Sequence, residues 1–167
     1  MIYFITGGQR SGKSSYAQKL ALQLTNSPLY IATSRTWDDD HKKRIERHKS
    51  DRDERWTTIE EEKYISKIEL ENKVAVIDCI TLWLTNFFVD CKYDVEDVLK
   101  EIKTELDLLA KKNSTLIIVS NEIGMGLHAE TEIGRKFTDL QGWTNQYIAA
   151  LADKIFLMVS GIPVQIK

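Results

Sequence analysis

Several protein classes are excluded by what this chain lacks. It has two cysteines in 167 residues, Cys79 and Cys91, and their spacing fits no metal-ligand pattern. A disulfide-stapled secreted scaffold is therefore not expected, and Cys79, at the end of an apolar run, reads as a reduced, buried thiol. No run of about 18 apolar residues is present to span a bilayer. The first residues pass directly into a β-rich stretch without a charged segment and long apolar run, so no signal peptide is expected. A net charge of −2 supplies no general attraction to nucleic acid or to an acidic membrane surface. Repeats, linkers and low-complexity segments are also missing. The expectation is a cytoplasmic enzyme with no nucleic-acid partner and no membrane span.

What is present is a globular composition, 43% hydrophobic and 29% charged, in a length that suits one domain over residues 1–167. Apolar runs predict strands at 2–6, 29–32, 73–77, 115–120 and 154–159. Helical patterns alternate with them near 12–25, 40–49, 60–70, 94–112 and 132–152. Such alternation predicts an α/β fold, a mainly parallel sheet flanked by helices. Ser160-Gly161-Ile162-Pro163, followed by Val164-Gln165-Ile166, reads as a turn into a short C-terminal edge strand. In the segment 94–112, Val95, Val98, Leu99, Ile102, Leu106 and Leu109 recur at helical spacing and form a core face.

The most specific motif comes first in the chain. Gly7-Gly8-Gln9-Arg10-Ser11-Gly12-Lys13-Ser14 is a full G-x-x-x-x-G-K-S loop, preceded by the apolar Ile2-Tyr3-Phe4-Ile5 and followed by a helix-forming run. Its glycines let backbone N–H groups converge on a phosphate, and the helix N-terminus adds partial positive charge. Lys13 is expected to reach the β- and γ-phosphates, and the Ser14 hydroxyl to take a place on Mg²⁺. A carboxylate at the end of a neighbouring strand is needed for the same ion. Asp78, after Val74-Ala75-Val76-Ile77, is the candidate, set against the plainer reading of an acid that starts a turn. Glu122 follows another apolar run and projects from the same carboxyl edge, where open α/β folds bind ligands. The adjoining Gly124-Met125-Gly126 reads equally as a mobile turn near substrate or as a tight loop. No Asn-Lys-x-Asp box of the guanine-reading kind is present, which counts against a nucleotide-dependent switch.

Residues 35–55 are unusually charged, with eight basic and seven acidic side chains in near balance. Asp38 to Asp40 suit a helix N-terminus, and basic residues dominate from Lys42 to Lys49. Arg44 and Ile45 share a helical face with His48. From spacing alone His48 is either a solvated surface histidine or a nucleophile toward an α-phosphorus, kept neutral by nearby cations. His41 lacks a comparable argument. His128 is either close to substrate or on a loop surface.

Several motifs then line up in order: the P-loop; Tyr30-Ile31-Ala32-Thr33-Ser34; Asp38-Asp39, Arg44-Ile45 and His48-Lys49; Trp56-Thr57-Thr58-Ile59-Glu60. They continue with Asp78-Cys79-Ile80-Thr81-Leu82-Trp83-Leu84-Thr85-Asn86, Ser120-Asn121-Glu122-Ile123-Gly124-Met125-Gly126, Gly134-Arg135, Phe137, Asp139, Gly142, Asn145-Gln146 and Ala152-Asp153. Over its full length the chain resembles the bifunctional adenosylcobinamide kinase/adenosylcobinamide-phosphate guanylyltransferase family of cobalamin biosynthesis.

The resemblance implies a single RecA-like P-loop NTPase domain that assembles as a homotrimer. It implies phosphorylation of the corrinoid hydroxyl from a nucleoside triphosphate, then transfer of GMP from GTP through a guanylyl-histidine, by position His48. The implied cofactor is Mg²⁺, with GTP and ATP as nucleotide substrates. Nucleotide contacts map to Gly7 through Ser14, to Ser34, Arg35 and Thr36, to Asp51, Arg52, Asp53 and Glu54, and to Glu62 and Leu84. The chain departs from the family where a Pro usually follows the Gly-Met-Gly turn, and at Thr138 and Trp143, where Arg is frequent. Two other readings of the same residues are a plain P-loop small-molecule or nucleotide kinase, with 35–55 as an Arg-rich lid, and a non-catalytic nucleotide switch.

Overall fold

The computed structural model of the chain describes residues 1–35, 52–126 and 128–167. Its strands are β1 (Ile2–Gly7), β2 (Leu29–Ala32), β3 (Thr57–Glu60), β4 (Val74–Asp78), β5 (Thr115–Val119), β6 (Lys154–Val159) and β7 (Ile162–Gln165). They form one seven-stranded sheet in the order β3-β2-β4-β5-β1-β6-β7. Every neighbouring pair is parallel except β6 and β7, an antiparallel hairpin at the edge. The helices among the described residues are α1 (Lys13–Leu24), α2 (Ile80–Asp90), α3 (Val95–Ala110) and α4 (Glu132–Leu151). The α/β fold with a C-terminal edge hairpin is thus as expected.

A parallel sheet needs cover on both faces, and β1 shows how the sequence arranges it. Tyr3 and Ile5 point to one side, where Ala17 and Ala21 let α1 pack closely. Ile2 and Phe4 point to the other, toward Trp83 and Phe87 of α2, Ile102 of α3 and Leu140 and Ile148 of α4. α3 starts at Asp94, whose side chain accepts from the Asp97 N–H, and α4 at Thr131, which accepts from the Gly134 N–H. Both caps satisfy an otherwise orphaned donor. No helix among the described residues is long and apolar enough to cross a membrane.

Three local expectations differ from the structure. Residues 60–70 are not a helix. Glu60 ends β3, and only Ile65–Lys67 form a 3₁₀ turn. The Glu61 carboxylate holds the N–H groups of Lys63 and Tyr64, while Ile65 and Leu70 are the buried residues, a spacing of five that no helical face supports. β3 itself was invisible as a run because it is an exposed edge strand. α2 buries Asn86 together with five apolar residues, and its half-exposed stripe mixes Thr81 and Thr85 with Leu82 and Val89, so polarity does not mark its period. The predicted helix 40–49 lies outside the described residues.

Candidate active site

The phosphate loop is shaped by backbone approach more than by side chains. At Gly7, φ is +150°, and a Cβ there would stand 2.6 Å from the Met158 carbonyl oxygen of β6. Gly12 sits at φ +94°, with the Cα of Gly161 only 3.2 Å from where its Cβ would be. The Gly161 N–H donates to the Ser11 carbonyl at 2.9 Å, so the turn of the β6–β7 hairpin braces the loop from outside. Between these glycines Arg10 also takes a left-handed conformation.

Lys13 opens α1, is nearly buried, and donates from Nζ to the Gly8 carbonyl at 2.6 Å. Burial lowers its pKa, while the neighbouring Cys79 and Asp78 act the other way. Unlike α3 and α4, α1 has neither a side-chain cap nor an acid in its first turn. α2 starts uncapped as well, at the same edge of the sheet. The Ser11 hydroxyl is buried without a hydrogen-bond partner among the described residues. Unsatisfied N–H groups, a free hydroxyl and an ammonium thus converge where an anion is wanted.

Asp78 stands at the end of β4, but β4 is not the neighbour of the P-loop strand. β5 lies between β1 and β4, the interposed strand of the RecA-like arrangement. One Asp78 oxygen accepts from the Tyr30 hydroxyl at 2.9 Å. Burial, reinforced by this carboxylate, pushes the Tyr30 phenol well above its ordinary range. The Arg52 guanidinium lies 3.8 Å over the Tyr30 ring, whose edge meets Trp56. Among the described residues Arg52 Nε and Nη1 are buried without a hydrogen-bond partner, and the cation lies over the ring. The donor set of the Ser14 hydroxyl and the Asp78 carboxylate fits Mg²⁺, which keeps several waters and is held by one or two protein groups plus phosphates.

Beyond β2 the chain brings Ser34, Arg35 and Glu62 together. Arg35 donates to Glu62 at 2.7 Å and in a fork to Asp90 at 3.0 and 3.2 Å, and Lys63 reaches the same Asp90 at 2.8 Å. These two cations hold the Asp90 carboxyl well below the usual carboxylate range. Asn86, fully buried, donates to the carbonyls of Thr33 and Glu62 and fixes the backbone on both sides of this cluster. Asp53 pairs with Arg55, and Glu54 is exposed in the adjoining turn.

Leu84, for which the resemblance implies a nucleotide contact, is fully buried in the core. Thr36, His48 and Asp51 lie outside the described residues. Thr138 spends its hydroxyl on the Gly134 carbonyl. Trp143 stands half-exposed in a groove between α3 and α4 with Leu99 and Tyr147.

Reading by motif missed Tyr30, Thr81 and Gln141 as parts of the site. Thr81 and Gln141 join Ser120, Asn121 and Asn145 in a polar network at the end of β5. The signal for Gln141 and Asn145 was a pair of amides four apart on an otherwise apolar helix face. For Tyr30, a phenol in a strand is indistinguishable from core until its partner is known.

A glycine-shaped phosphate cradle at the end of β1, with an acidic strand end two strands away across β5, defines a P-loop nucleotide-binding protein of the RecA-like α/β class. Within that class, residues 3–166 match the family described as cobinamide kinase / cobinamide phosphate guanyltransferase, and the chain belongs to that family. It is 35% identical over 182 residues to the bifunctional adenosylcobalamin biosynthesis protein CobU of Escherichia coli (strain K12), covering 100% of both chains. The corresponding CobP of Pseudomonas aeruginosa is 35% identical over 167 residues, covering 98% of this chain and 95% of that one. The CobU of Salmonella typhimurium is 35% identical over 184 residues, again covering 100% of both.

Proposed function

We propose that this single domain, residues 1–167, carries out both reactions of its family, phosphorylating adenosylcobinamide from ATP or GTP and then transferring GMP from GTP to the adenosylcobinamide phosphate. The observation that carries this reading is the intact phosphate cradle, Gly7 to Ser14 with Lys13 at its mouth, on a chain that belongs to this family. Lys13, the loop N–H groups and the start of α1 bind the triphosphate and stabilise the charge that moves during transfer. Ser14 and Asp78 hold Mg²⁺, which neutralises phosphate charge when bound. Ser34, Arg35, Thr36, Asp51 to Glu54 and Glu62 line the remainder of the nucleotide site, with Arg52 the cation best placed for an anionic group.

In the second reaction a neutral His48 nitrogen attacks the α-phosphorus of GTP. A P–N bond forms, the Pα–O bond breaks, and pyrophosphate leaves with the electron pair. A phosphate oxygen of the corrinoid phosphate then displaces the histidine, giving adenosylcobinamide-GDP and restoring the imidazole. Splitting the displacement avoids a direct encounter between two anionic phosphates. A homotrimer in the cytoplasm, with a small-molecule corrinoid as the partner, belongs to the same proposal.

The test is the intact mass of the purified protein after incubation with Mg²⁺ and GTP. Wild type gains one GMP, and His48→Ala gains none while retaining kinase turnover. Nucleotide binding without any adduct on wild type moves the reading to a plain P-loop kinase.

A further inference from the structure

We propose that Glu122 is the general base of the kinase reaction, held in place by a buried polar strut from α4; the proposal rests on the kinase half of the function above. β5 is the strand directly beside β1, so its end is nearer the P-loop than that of β4. The Glu122 N–H donates to the Gly7 carbonyl at 2.9 Å, which ties this residue to the first glycine of the phosphate cradle. Its Oε1 accepts from the Gly124 N–H at 2.7 Å, and Oε2 has no partner among the described residues. Asp78, at the end of β4 and so one strand further from β1, accepts from Tyr30 through one oxygen and is the carboxylate assigned above to Mg²⁺. Glu122 therefore offers an oriented carboxylate with one open oxygen beside the site of the γ-phosphate.

Positioning of this kind must resist the reaction's own motions, and the residues behind Glu122 supply that resistance. Asn145 donates from Nδ2 to the Asn121 carbonyl at 3.1 Å, while its Oδ1 accepts from Ser120 Oγ at 2.7 Å and from Gln141 Nε2 at 3.0 Å. Gln141 also donates to Ser120 Oγ at 2.9 Å. On the other side Thr81 Oγ1 accepts from both the backbone and the side chain of Asn121 at 3.2 and 3.0 Å. Ser120 is fully buried, and Gln141 and Asn145 nearly so. Burying three such groups together is costly unless they hold something. What they hold is the dipeptide Ser120-Asn121, immediately before Glu122.

The step balances without further reactants. The substrate hydroxyl oxygen forms a bond to the γ-phosphorus as its proton passes to Glu122 Oε2. The bond from the γ-phosphorus to the bridging oxygen breaks, and the nucleoside diphosphate leaves with that electron pair. The carboxylic acid then returns its proton to water. Glu122 is the catalytic residue here, and Asn145 a positioning residue that acts through Asn121.

The experiment measures phosphorylation of adenosylcobinamide by the full chain with ATP and Mg²⁺ across pH, together with the GMP adduct formed from GTP. For Glu122→Gln, kcat is expected to fall by about 10²–10⁴-fold with loss of its acid limb, while nucleotide KM and adduct formation stay at wild-type values. Asn145→Leu is expected to lower kcat by about tenfold without raising nucleotide KM, and to have no further effect in the Glu122→Gln background. An active wild type beside a Glu122→Gln variant of undiminished kcat overturns the role of Glu122. Equal loss of kinase rate and adduct formation overturns it too, since both then share a structural cause. A wild type that binds nucleotide but never phosphorylates adenosylcobinamide overturns the functional reading itself, and this role with it.

Discussion

The P-loop and the end of β5 meet at Gly7, whose carbonyl accepts from the Glu122 N–H, yet they are built by different means. The P-loop is made of eight consecutive residues. Its shape comes from backbone proximity, with Met158 and Gly161 close enough to forbid a Cβ at Gly7 and to crowd one at Gly12. The β5 end is made of side chains drawn from residues 81, 120, 121, 141 and 145, joined by hydrogen bonds between α2, β5 and α4. A backbone-built site fails abruptly when a single atom is added. A side-chain strut yields in increments, because each removed partner leaves the others in place.

The largest test of that contrast is Gly7→Val. Its β-branched side chain would meet the Met158 carbonyl, and nucleotide affinity measured by calorimetry should fall below detection with both activities lost. Retained binding would mean that the hairpin gives way and that the loop is not held by backbone contact. A smaller effect is expected for Ser120→Ala, which removes one buried hydroxyl from the strut. Stability should fall by about 1 kcal/mol, lowering Tm by roughly 2–4 °C for a chain of this size, with nucleotide affinity unchanged. A drop in affinity instead would show that the two regions act as one unit.

The smallest effect concerns the junction of β4 and α2 beside them. Cys79 follows Asp78, and burial pushes its thiol up to about 12, so almost no thiolate exists at pH 8. Iodoacetamide should label the partly exposed Cys91 in the native protein and spare Cys79 until it unfolds. Equal labelling of both cysteines would show that the junction opens readily.

The same contrast explains what could be read before the fold was known. The P-loop, Lys13 and Ser14 were legible because contiguous spacing and chemistry coincide in them. Asp78 was legible as an acid at a strand end, but its strand was expected beside the P-loop strand, and sheet order is not a local property. The helix α2 escaped because Leu82 and Val89 stand on its half-exposed stripe and Asn86 on its buried face, which blurs the amphipathic period. β3 escaped because an edge strand that buries little needs no apolar run.

Sequence by itself determined the strand–loop–helix at the start, the alternation that makes a parallel α/β sheet, and the capped helices α3 and α4, because each depends on residues within a turn or two of one another. Only the tertiary structure decided that β5 separates β1 from β4, that the hairpin turn at Gly161 braces the P-loop, and that Gln141 and Asn145 reach back to Ser120 and Asn121. Those arrangements depend on which distant surfaces exclude water together. Burial of that kind is a property of the whole packed chain, with no pattern in any one stretch of it.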